Sequence, residues 1–172
     1  IEKLLIATNT NDVLHQTFST NNYAKTNVVQ TLAPSMDISV ASNFERLLYN
    51  LYDDDSSLLA KNMRSFPERS IDIPEDKQEL VSSFFKSYKS NDQEILEQIH
   101  DTYSKTRYIL DPHTATGVRA SDIISIDDPV ITMGTAHPAK FTDAIEKAIP
   151  EYNAFIPAKV EMAFKQDEQF SI

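Results

Sequence analysis

The chain has 172 residues, of which 41% are hydrophobic and 24% are charged, proportions that are typical of a folded domain. Its net charge of −10 would repel a phosphate backbone, and no apolar run approaches the roughly 20 residues that span a bilayer, so we expect neither nucleic-acid nor membrane partners. The absence of cysteine excludes disulfides and zinc–thiolate sites, and it fits a cytoplasmic location.

Glycine is nearly absent from this sequence. Only Gly117 and Gly134 occur, where an average usage of about 7% would give roughly a dozen. A glycine-rich loop of the kind that cradles a phosphate therefore cannot be built from these residues. The chain also begins at Ile1, without an initiator methionine and close to an apolar run. We therefore expect it to be the remainder of a longer chain, whose N-terminal part would carry any such loop.

The N-terminal half alternates between short apolar segments and polar loops. The run LLIATN (4–9) predicts a buried strand that ends in a turn, and Asn11 is a candidate cap for a helix that follows. Residues 19–42 predict irregular loops. The motif SNFE (42–45) has the pattern of a capping box at the start of an amphipathic helix. The acidic run 53–55 predicts a solvated loop before a helix, because consecutive side chains do not converge on a metal.

The C-terminal half predicts helices around one further strand. An apolar stripe over 80–88 predicts one helix, and Ser90 with Gln93 predicts a capping box for the next. Asp111 followed by Pro112 predicts the start of a helix whose small side chains suit close packing against a sheet. Beyond it, the sequence predicts a buried strand at DPVITM (128–133), a helix at PAKFTDAIEKAI (138–149), and a tail or final packing helix within 150–172.

Polar residues collect where the two predicted strands end, and ligands of open parallel sheets bind at that edge. After the second strand, Gly134 would let the backbone approach a ligand, and Thr135 would present a hydroxyl that both donates and accepts. Asn9, Asn11 and Asp12 follow the first strand. A plainer interpretation stays open, in which Gly134 eases a tight turn, Thr135 caps a helix and the asparagines only form turns. No two of the four histidines have the spacing of a helical metal-binding pair, so no metal site is predicted.

Four segments taken together resemble threonine synthase of the type found in bacteria and yeast. They are ATNTNDVLH (7–15), TLAPSMDISVASNFERLL (31–48), DPHTATG (111–117) and GTAHPAKF (134–141), in the family's order and with approximately its spacing. The resemblance covers residues 4–141 with gaps. It implies an α/β fold, namely a helix-rich C-terminal portion of a tryptophan synthase β-like (fold type II) enzyme with few parallel strands. It also places residues 1–172 in the C-terminal part of the large domain that binds pyridoxal phosphate.

The resemblance implies a specific activity, the conversion of O-phospho-L-homoserine and water to L-threonine and phosphate, with pyridoxal 5′-phosphate as the cofactor. In the family, the threonine of the GTAHPAKF motif contacts the cofactor's pyridine nitrogen, which implies that role for Thr135, with Gly134 beside it. The Schiff-base lysine and the phosphate loop would lie upstream, in the missing N-terminal part of the same chain. This chain alone is therefore expected to be inactive. Asn9, Asn11 and Asp37 are candidates for the substrate pocket.

The sequence departs from the family's pattern at two places. Gln16 stands where the family commonly has arginine, and an asparagine precedes Tyr23 where glycine is expected. Asparagine tolerates a left-handed backbone better than most residues, so the turn before Tyr23 can still form. A non-catalytic homologue, or one that processes another phospho-amino acid, is the alternative function. A small acidic interaction domain is a third interpretation, which the Gly134–Thr135 pair disfavours.

Overall fold

The structure, a computed structural model, describes residues 1–124, 128–152 and 156–167. In this part of the chain, two strands and eight α-helices form an α/β arrangement, and none of the helices is long and apolar enough to cross a bilayer. The elements are, in order, β1 (Leu4–Thr8), α1 (Val13–Thr20), α2 (Phe44–Leu51), α3 (Ser56–Ser65), α4 (Glu75–Phe84), β2 (Phe85–Lys89), α5 (Asp92–Thr106), α6 (Pro112–Ile123), α7 (Thr142–Ala148) and α8 (Ala158–Phe164). Two short 3₁₀ helices span Pro34–Met36 and Pro138–Lys140.

The two strands pair in parallel, in register from Leu4 opposite Phe85 to Thr8 opposite Lys89. Parallel strands need a long connection, and α1 to α4 lie within it. Both strands therefore end at the same edge of the sheet, where the Ser90 N–H continues the pairing by donating to the Thr8 carbonyl at 2.9 Å. Ligands of parallel sheets bind at this carboxyl edge, so the polar residues that follow β1 and β2 are candidates for a site.

The helices form two hydrophobic clusters. The first joins α1, α2 and α4 to Phe85 of β2, and it contains the fully buried Tyr23 and Leu48. The second joins α5, α6 and α7 around Ile95 and Ile99. Because α6 packs directly on β1, the prediction that its small side chains suit close packing against a sheet is confirmed.

The predicted helix over 80–88 is wrong in its second half. α4 ends at Phe84, and Phe85–Lys89 forms β2. The apolar spacing is compatible with a helix, but β1 offers backbone partners along the whole of this segment. Pairing with a strand from far along the chain overrides the local periodicity here. Phe85 still enters the first cluster, where its ring centroid lies 5.0 Å from that of Phe18.

Three predicted helix caps are each displaced by one residue. In α5 the capping box forms between Asn91 and Glu94, whose side chains accept each other's N–H at 2.9 and 2.8 Å. Ser90 cannot cap α5 because its backbone still belongs to the edge of the sheet. The caps of α1 and α2 are Asp12 and Asn43, not Asn11 and Ser42, and neither side chain makes a capping hydrogen bond. By contrast, the predicted helix starts after the 53–55 run and at Asp111 are confirmed by side-chain capping bonds.

The predicted strand at 128–133 is also wrong. These residues pair with no strand among the described residues, and Ile131 is 87% exposed. An extended apolar segment becomes a strand only when a neighbouring strand supplies hydrogen-bond partners for its backbone. The helix predicted at 138–149 begins as the 3₁₀ turn at Pro138–Lys140 and continues as α7 from Thr142. α8 lies within the predicted C-terminal segment 150–172.

The turn before Tyr23 is built on asparagine, as the sequence predicts. Asn21 closes α1 in the left-handed conformation, with a φ of 55°. Its side chain also pairs with the backbone of Ile73, accepting the N–H at 2.8 Å and donating to the carbonyl at 3.2 Å. A glycine could not supply these two bonds, so asparagine both turns the chain and fixes it to the segment before α4.

Candidate functional site

Thr135 stands at the outer end of a series of hydrogen bonds that begins inside the protein. Its side chain is exposed, in the irregular segment before the 3₁₀ helix that starts at Pro138. Its N–H donates to the Thr114 hydroxyl oxygen at 3.1 Å, and the two hydroxyl oxygens are 3.3 Å apart. Thr114 lies in the first turn of α6 and is buried, so it holds Thr135 against the beginning of that helix.

Asp111 is the inner end of this series. It caps α6 and is only 1% exposed. One carboxylate oxygen accepts the Thr114 hydroxyl, and the other accepts the His113 N–H and ring Nδ1–H at 3.0 and 2.9 Å. Burial by itself would raise the pKa of Asp111, but the bonds donated by His113 and Thr114 outweigh it and lower the pKa below its usual value. Asp111 is therefore a carboxylate that only accepts hydrogen bonds.

His113 connects this end of α6 to the loop that precedes α2. The Ser35 N–H donates to the His113 Nε2 at 3.1 Å, so Nε2 carries no hydrogen in that bond. The hydrogen then lies on Nδ1, which donates to Asp111. The ring packs against Phe141, with the two centroids 4.7 Å apart. His113 is thus held on both nitrogens and on one face.

Asn9, Asn11 and Asp37 form a second polar cluster, after the end of β1. The Nδ2 groups of both asparagines donate to Asp37 Oδ1, at 2.7 and 2.8 Å. Asn9 Oδ1 accepts the Asn11 N–H at 2.8 Å, and the Asn11 side chain pairs with the backbone N–H and carbonyl of Val29, at 2.7 and 2.8 Å. Both asparagines are buried, so this cluster fixes the loop around residues 29–37 to the end of β1.

Thr31 completes the set of donors around Asp37. Its hydroxyl donates to Asp37 Oδ1 at 2.6 Å, and its N–H donates to Oδ2 at 2.9 Å. Asp37 therefore accepts four hydrogen bonds, from Asn9, Asn11 and twice from Thr31. The acceptor capacity of this half-buried carboxylate is largely used within the protein.

Asp12 forms a charged group at the carboxyl edge of the sheet. Its two oxygens accept from Gln16 Nε2 and Lys89 Nζ, each at 2.8 Å. Asp12 is buried, whereas the Lys89 side chain is 49% exposed. Gln16, which departs from the family's arginine, is thus bonded to the same carboxylate as Lys89.

The two glycines have different surroundings. A Cβ on Gly117 would lie 2.9 Å from Thr132 Cγ2, so the absence of a side chain lets the segment before Thr135 approach α6. Nothing lies within 4 Å of where a Gly134 Cβ would be, and neither glycine has a positive φ. One part of the plainer interpretation of the Gly134–Thr135 pair is wrong, because the side chain that caps the next helical turn is that of His137 and not that of Thr135.

Comparisons with known proteins point to one enzyme family. Residues 114–172 match a family model described as "Threonine synthase, C-terminal". The chain is 36% identical over 175 residues to a threonine synthase of Pseudomonas aeruginosa, covering 100% of this chain and 37% of that protein. A solved structure of threonine synthase from Brucella melitensis, with pyridoxal phosphate bound, superimposes with a TM-score of 0.88 at 36% identity over 99% of this chain and 37% of that one. The chain belongs to the threonine synthase family.

The yeast threonine synthase structure has the same fold, with a TM-score of 0.85 at 31% identity over 98% of this chain and 38% of that one. These matches, together with the short parallel sheet and the surrounding helices, confirm the predicted α/β fold class. The chain spans about 37% of the length of the Pseudomonas threonine synthase.

The structure brings together some of the residues that the resemblance to threonine synthase indicated. Asn9, Asn11 and Asp37 form one cluster, and Thr135 lies outside it. The two are linked through the loop that contains Asp37, because the Ser35 N–H bonds to His113 and His113 bonds to Asp111. The binding roles of Thr135, Gly134 and the cluster stay predictions.

Three residues beside Thr135 were not singled out as site residues by the sequence. The sequence predicted Asp111 only as a helix cap, and it indicated no individual role for His113 or Thr114. The signal that could have found them is the motif Asp-Pro-His-Thr at a helix start. An N-cap carboxylate reaches the backbone and side chains two and three residues further on, so His113 and Thr114 were its natural partners.

Proposed function

We propose that this chain is part of a threonine synthase that uses pyridoxal 5′-phosphate to convert O-phospho-L-homoserine and water to L-threonine and phosphate. The observation that carries the proposal is Thr135. It is an exposed hydroxyl in the GTAHPAKF motif, held by a buried threonine and carboxylate at the start of α6. Family membership, and a relative solved with the cofactor bound, support it.

The proposal extends to the organisation of the longer protein. We assign residues 1–172 to the C-terminal part of the large cofactor-binding domain and 150–172 to its tail. The lysine that bonds to the cofactor and the loop that holds its phosphate are assigned to the preceding part of the chain. Without this preceding part of the same chain as its partner, residues 1–172 are expected to be inactive. A cytoplasmic location agrees with the absence of cysteine.

Thr135 and Gly134 are suited to hold the cofactor's ring. A hydroxyl can donate one hydrogen bond and accept others, which matches a ring nitrogen in either protonation state. The open space beside Gly134 leaves the main chain next to Thr135 free to approach a planar ring. Asn9, Asn11 and Asp37 would shape the substrate pocket by fixing the loop over residues 29–37, since most of their bonding capacity is used within the cluster.

Thr135 also sets the charge next to the ring. The chemistry that the cofactor supplies when bound is the withdrawal of electrons from a substrate carbon. A carboxylate beside the ring nitrogen would favour its protonation and so strengthen that withdrawal. The Thr135 hydroxyl carries no charge, so it orients the ring without favouring protonation.

The test is Thr135→Asp in the full-length protein. We expect the new carboxylate to favour the protonated form of the ring nitrogen, which would change the absorption spectrum of the bound cofactor and the products formed from O-phospho-L-homoserine. Thr142→Asp, at the start of α7, introduces the same charge seven residues away and serves as the matched control. If Thr135→Asp had the spectrum and the products of the parent, Thr135 would not be the ring partner.

The alternative is a homologue that is non-catalytic or that processes another phospho-amino acid. An assay of which substrate releases phosphate distinguishes it from the proposed function. The full-length protein loaded with pyridoxal phosphate should release phosphate and L-threonine from O-phospho-L-homoserine. Release of phosphate only from another amino-acid phosphate ester, or from none, would favour the alternative.

A further inference from the structure

We propose that Thr114 is a positioning residue for Thr135. Because its own hydroxyl hydrogen bonds to Asp111, Thr114 is a fixed acceptor for the Thr135 N–H and leaves the Thr135 hydroxyl free to bond the cofactor's ring nitrogen. This inference rests on the proposed function, because that function supplies the ring nitrogen.

The hydroxyl hydrogen of Thr114 is bonded to a buried acceptor, Asp111. A hydroxyl has one hydrogen to donate, and that of Thr114 points to Asp111 Oδ2. Asp111 cannot return a hydrogen, because it is ionised and both of its oxygens already accept. Thr114 can therefore act towards Thr135 only as an acceptor.

The acceptor side of Thr114 is used by the Thr135 backbone. The Thr135 N–H lies 3.1 Å from Thr114 Oγ1, within hydrogen-bond range. The two hydroxyl oxygens are 3.3 Å apart, which is longer than the range of about 2.5–3.0 Å usual for O–H···O bonds. Thr114 therefore fixes where Thr135 stands without firmly engaging its hydroxyl, whose proton stays available to an acceptor outside the protein core.

The surroundings make Thr114 a rigid support. Thr114 is 9% exposed, and its side chain extends from the first turn of α6 beside a capping carboxylate. His113, which shares that carboxylate, is held by the Ser35 N–H and by the ring of Phe141. A support whose own side chains are locked by packing and hydrogen bonds is what a precisely oriented binding group requires.

The test uses the full-length enzyme loaded with pyridoxal phosphate that carries nitrogen-15 in its ring. The measurements are the chemical shift of that nitrogen and the dissociation constant of the cofactor. Thr114→Val removes the hydroxyl at constant shape, and Thr114→Ser keeps it. We expect valine to move the shift towards that of a pyridine nitrogen without a hydrogen-bond donor, and to raise the dissociation constant about fivefold. Serine should stay within about twofold of the parent.

Thr135→Val, measured in the same way, separates the two proposals. If it leaves the nitrogen shift unchanged, the ring contact of the proposed function is wrong. If it moves the shift while a folded Thr114→Val protein keeps both the parent's shift and its dissociation constant, the role given to Thr114 is wrong and the proposed function stands. If circular dichroism shows that the Thr114→Val protein does not fold, Thr114→Ala replaces it. The same two measurements, the nitrogen shift and the dissociation constant, then decide the role of Thr114.

Discussion

Two polar networks lie near the end of the sheet and near the start of α6, and they differ in where their hydrogen bonds end. In the Asn9–Asn11–Asp37 cluster, the bonds converge on one carboxylate that accepts four times. In the network of Asp111 and Thr114, the bonds end on the main-chain N–H of Thr135, whose own hydroxyl is exposed. Both contain a carboxylate and its donors, so composition alone does not distinguish them.

This difference indicates which network mainly stabilises the fold and which one can bind a ligand. When all donors and acceptors of a network are paired within the protein, every hydrogen bond stabilises the fold and few groups remain to bind a ligand. A network that ends on an exposed group with a hydrogen still available stabilises the fold less, but that group can donate a hydrogen bond to a ligand. This contrast predicts that substitutions in the Asp37 cluster act on stability, and that substitution of Thr135 acts on cofactor binding.

The largest effect is expected for Asp37→Ala in the full-length protein. It leaves the Nδ2 groups of both asparagines and two donors of Thr31 without their common acceptor. We expect the free energy of unfolding to fall by about 3 kcal/mol, measured by urea denaturation. Asp55→Ala is the control, because that exposed cap accepts only two backbone N–H groups and should cost about 1 kcal/mol. A change in KM with unaltered stability would place Asp37 in the site and break the contrast.

A smaller, pH-dependent effect is expected for Asp111→Asn. The folded-state pKa of Asp111 lies below its usual value of 3.8, so its contribution to stability is fully present above that pH and is lost as the pH falls through the folded-state pKa. At pH 7 the substitution should lower the free energy of unfolding by about 2 kcal/mol. The difference between parent and variant should shrink as the pH falls below 3.8, which denaturation curves from pH 7 to pH 3 would check. A difference that stayed constant over this range would mean that the Asp111 charge contributes nothing.

Local signals predicted much of this molecule from its sequence. The helix start after the acidic run 53–55, the cap at Asp111 and the amphipathic faces of α1, α2 and α5 depend on residues within one or two turns of each other, and they were predicted. The features that were missed depend on distance along the chain. Asn9 and Asp37 are 28 residues apart, and β2 exists only because β1 pairs with it. The Thr114–Thr135 bond joins positions 21 residues apart, so only Thr135 was found, through a motif and not through its neighbours.

A third prediction concerns the close approach of α6 to the segment that carries Thr135. Alanine at position 117 would place its Cβ 2.9 Å from Thr132 Cγ2, so one of the two must move. Overpacking costs about 1–3 kcal/mol and the better helix propensity of alanine returns up to about 1 kcal/mol, so we expect Gly117→Ala to destabilise the apoprotein by about 1 kcal/mol. It should also weaken cofactor binding, because Thr135 follows the displaced segment.

The matched controls for this prediction are provided by the chain itself. Gly134→Ala adds the same methyl group where nothing lies within 4 Å, so thermal unfolding of the apoprotein should be unchanged within about 0.5 kcal/mol. Adding Thr132→Ser to Gly117→Ala removes the methyl group that is in the way and should restore most of the loss. Equal effects of the two alanines would show that the contact with Thr132 does not position the segment.

The smallest effect on stability is expected for Gln16→Arg, at the charged carboxyl edge of the sheet. Asp12 is already bonded to Gln16 and to half-exposed Lys89, so a new exposed arginine should change stability by less than about 0.5 kcal/mol. It adds a positive charge near the end of the sheet, and we expect the KM for O-phospho-L-homoserine to fall about twofold at low salt and the gain to vanish at high salt. Thr20→Arg, exposed at the other end of α1, adds the same charge away from that edge and should leave the KM unchanged. Equal KM values for the two variants would mean that Lys89 and Asp12 already set the charge at this edge, and that position 16 lies outside the reach of the substrate's phosphate.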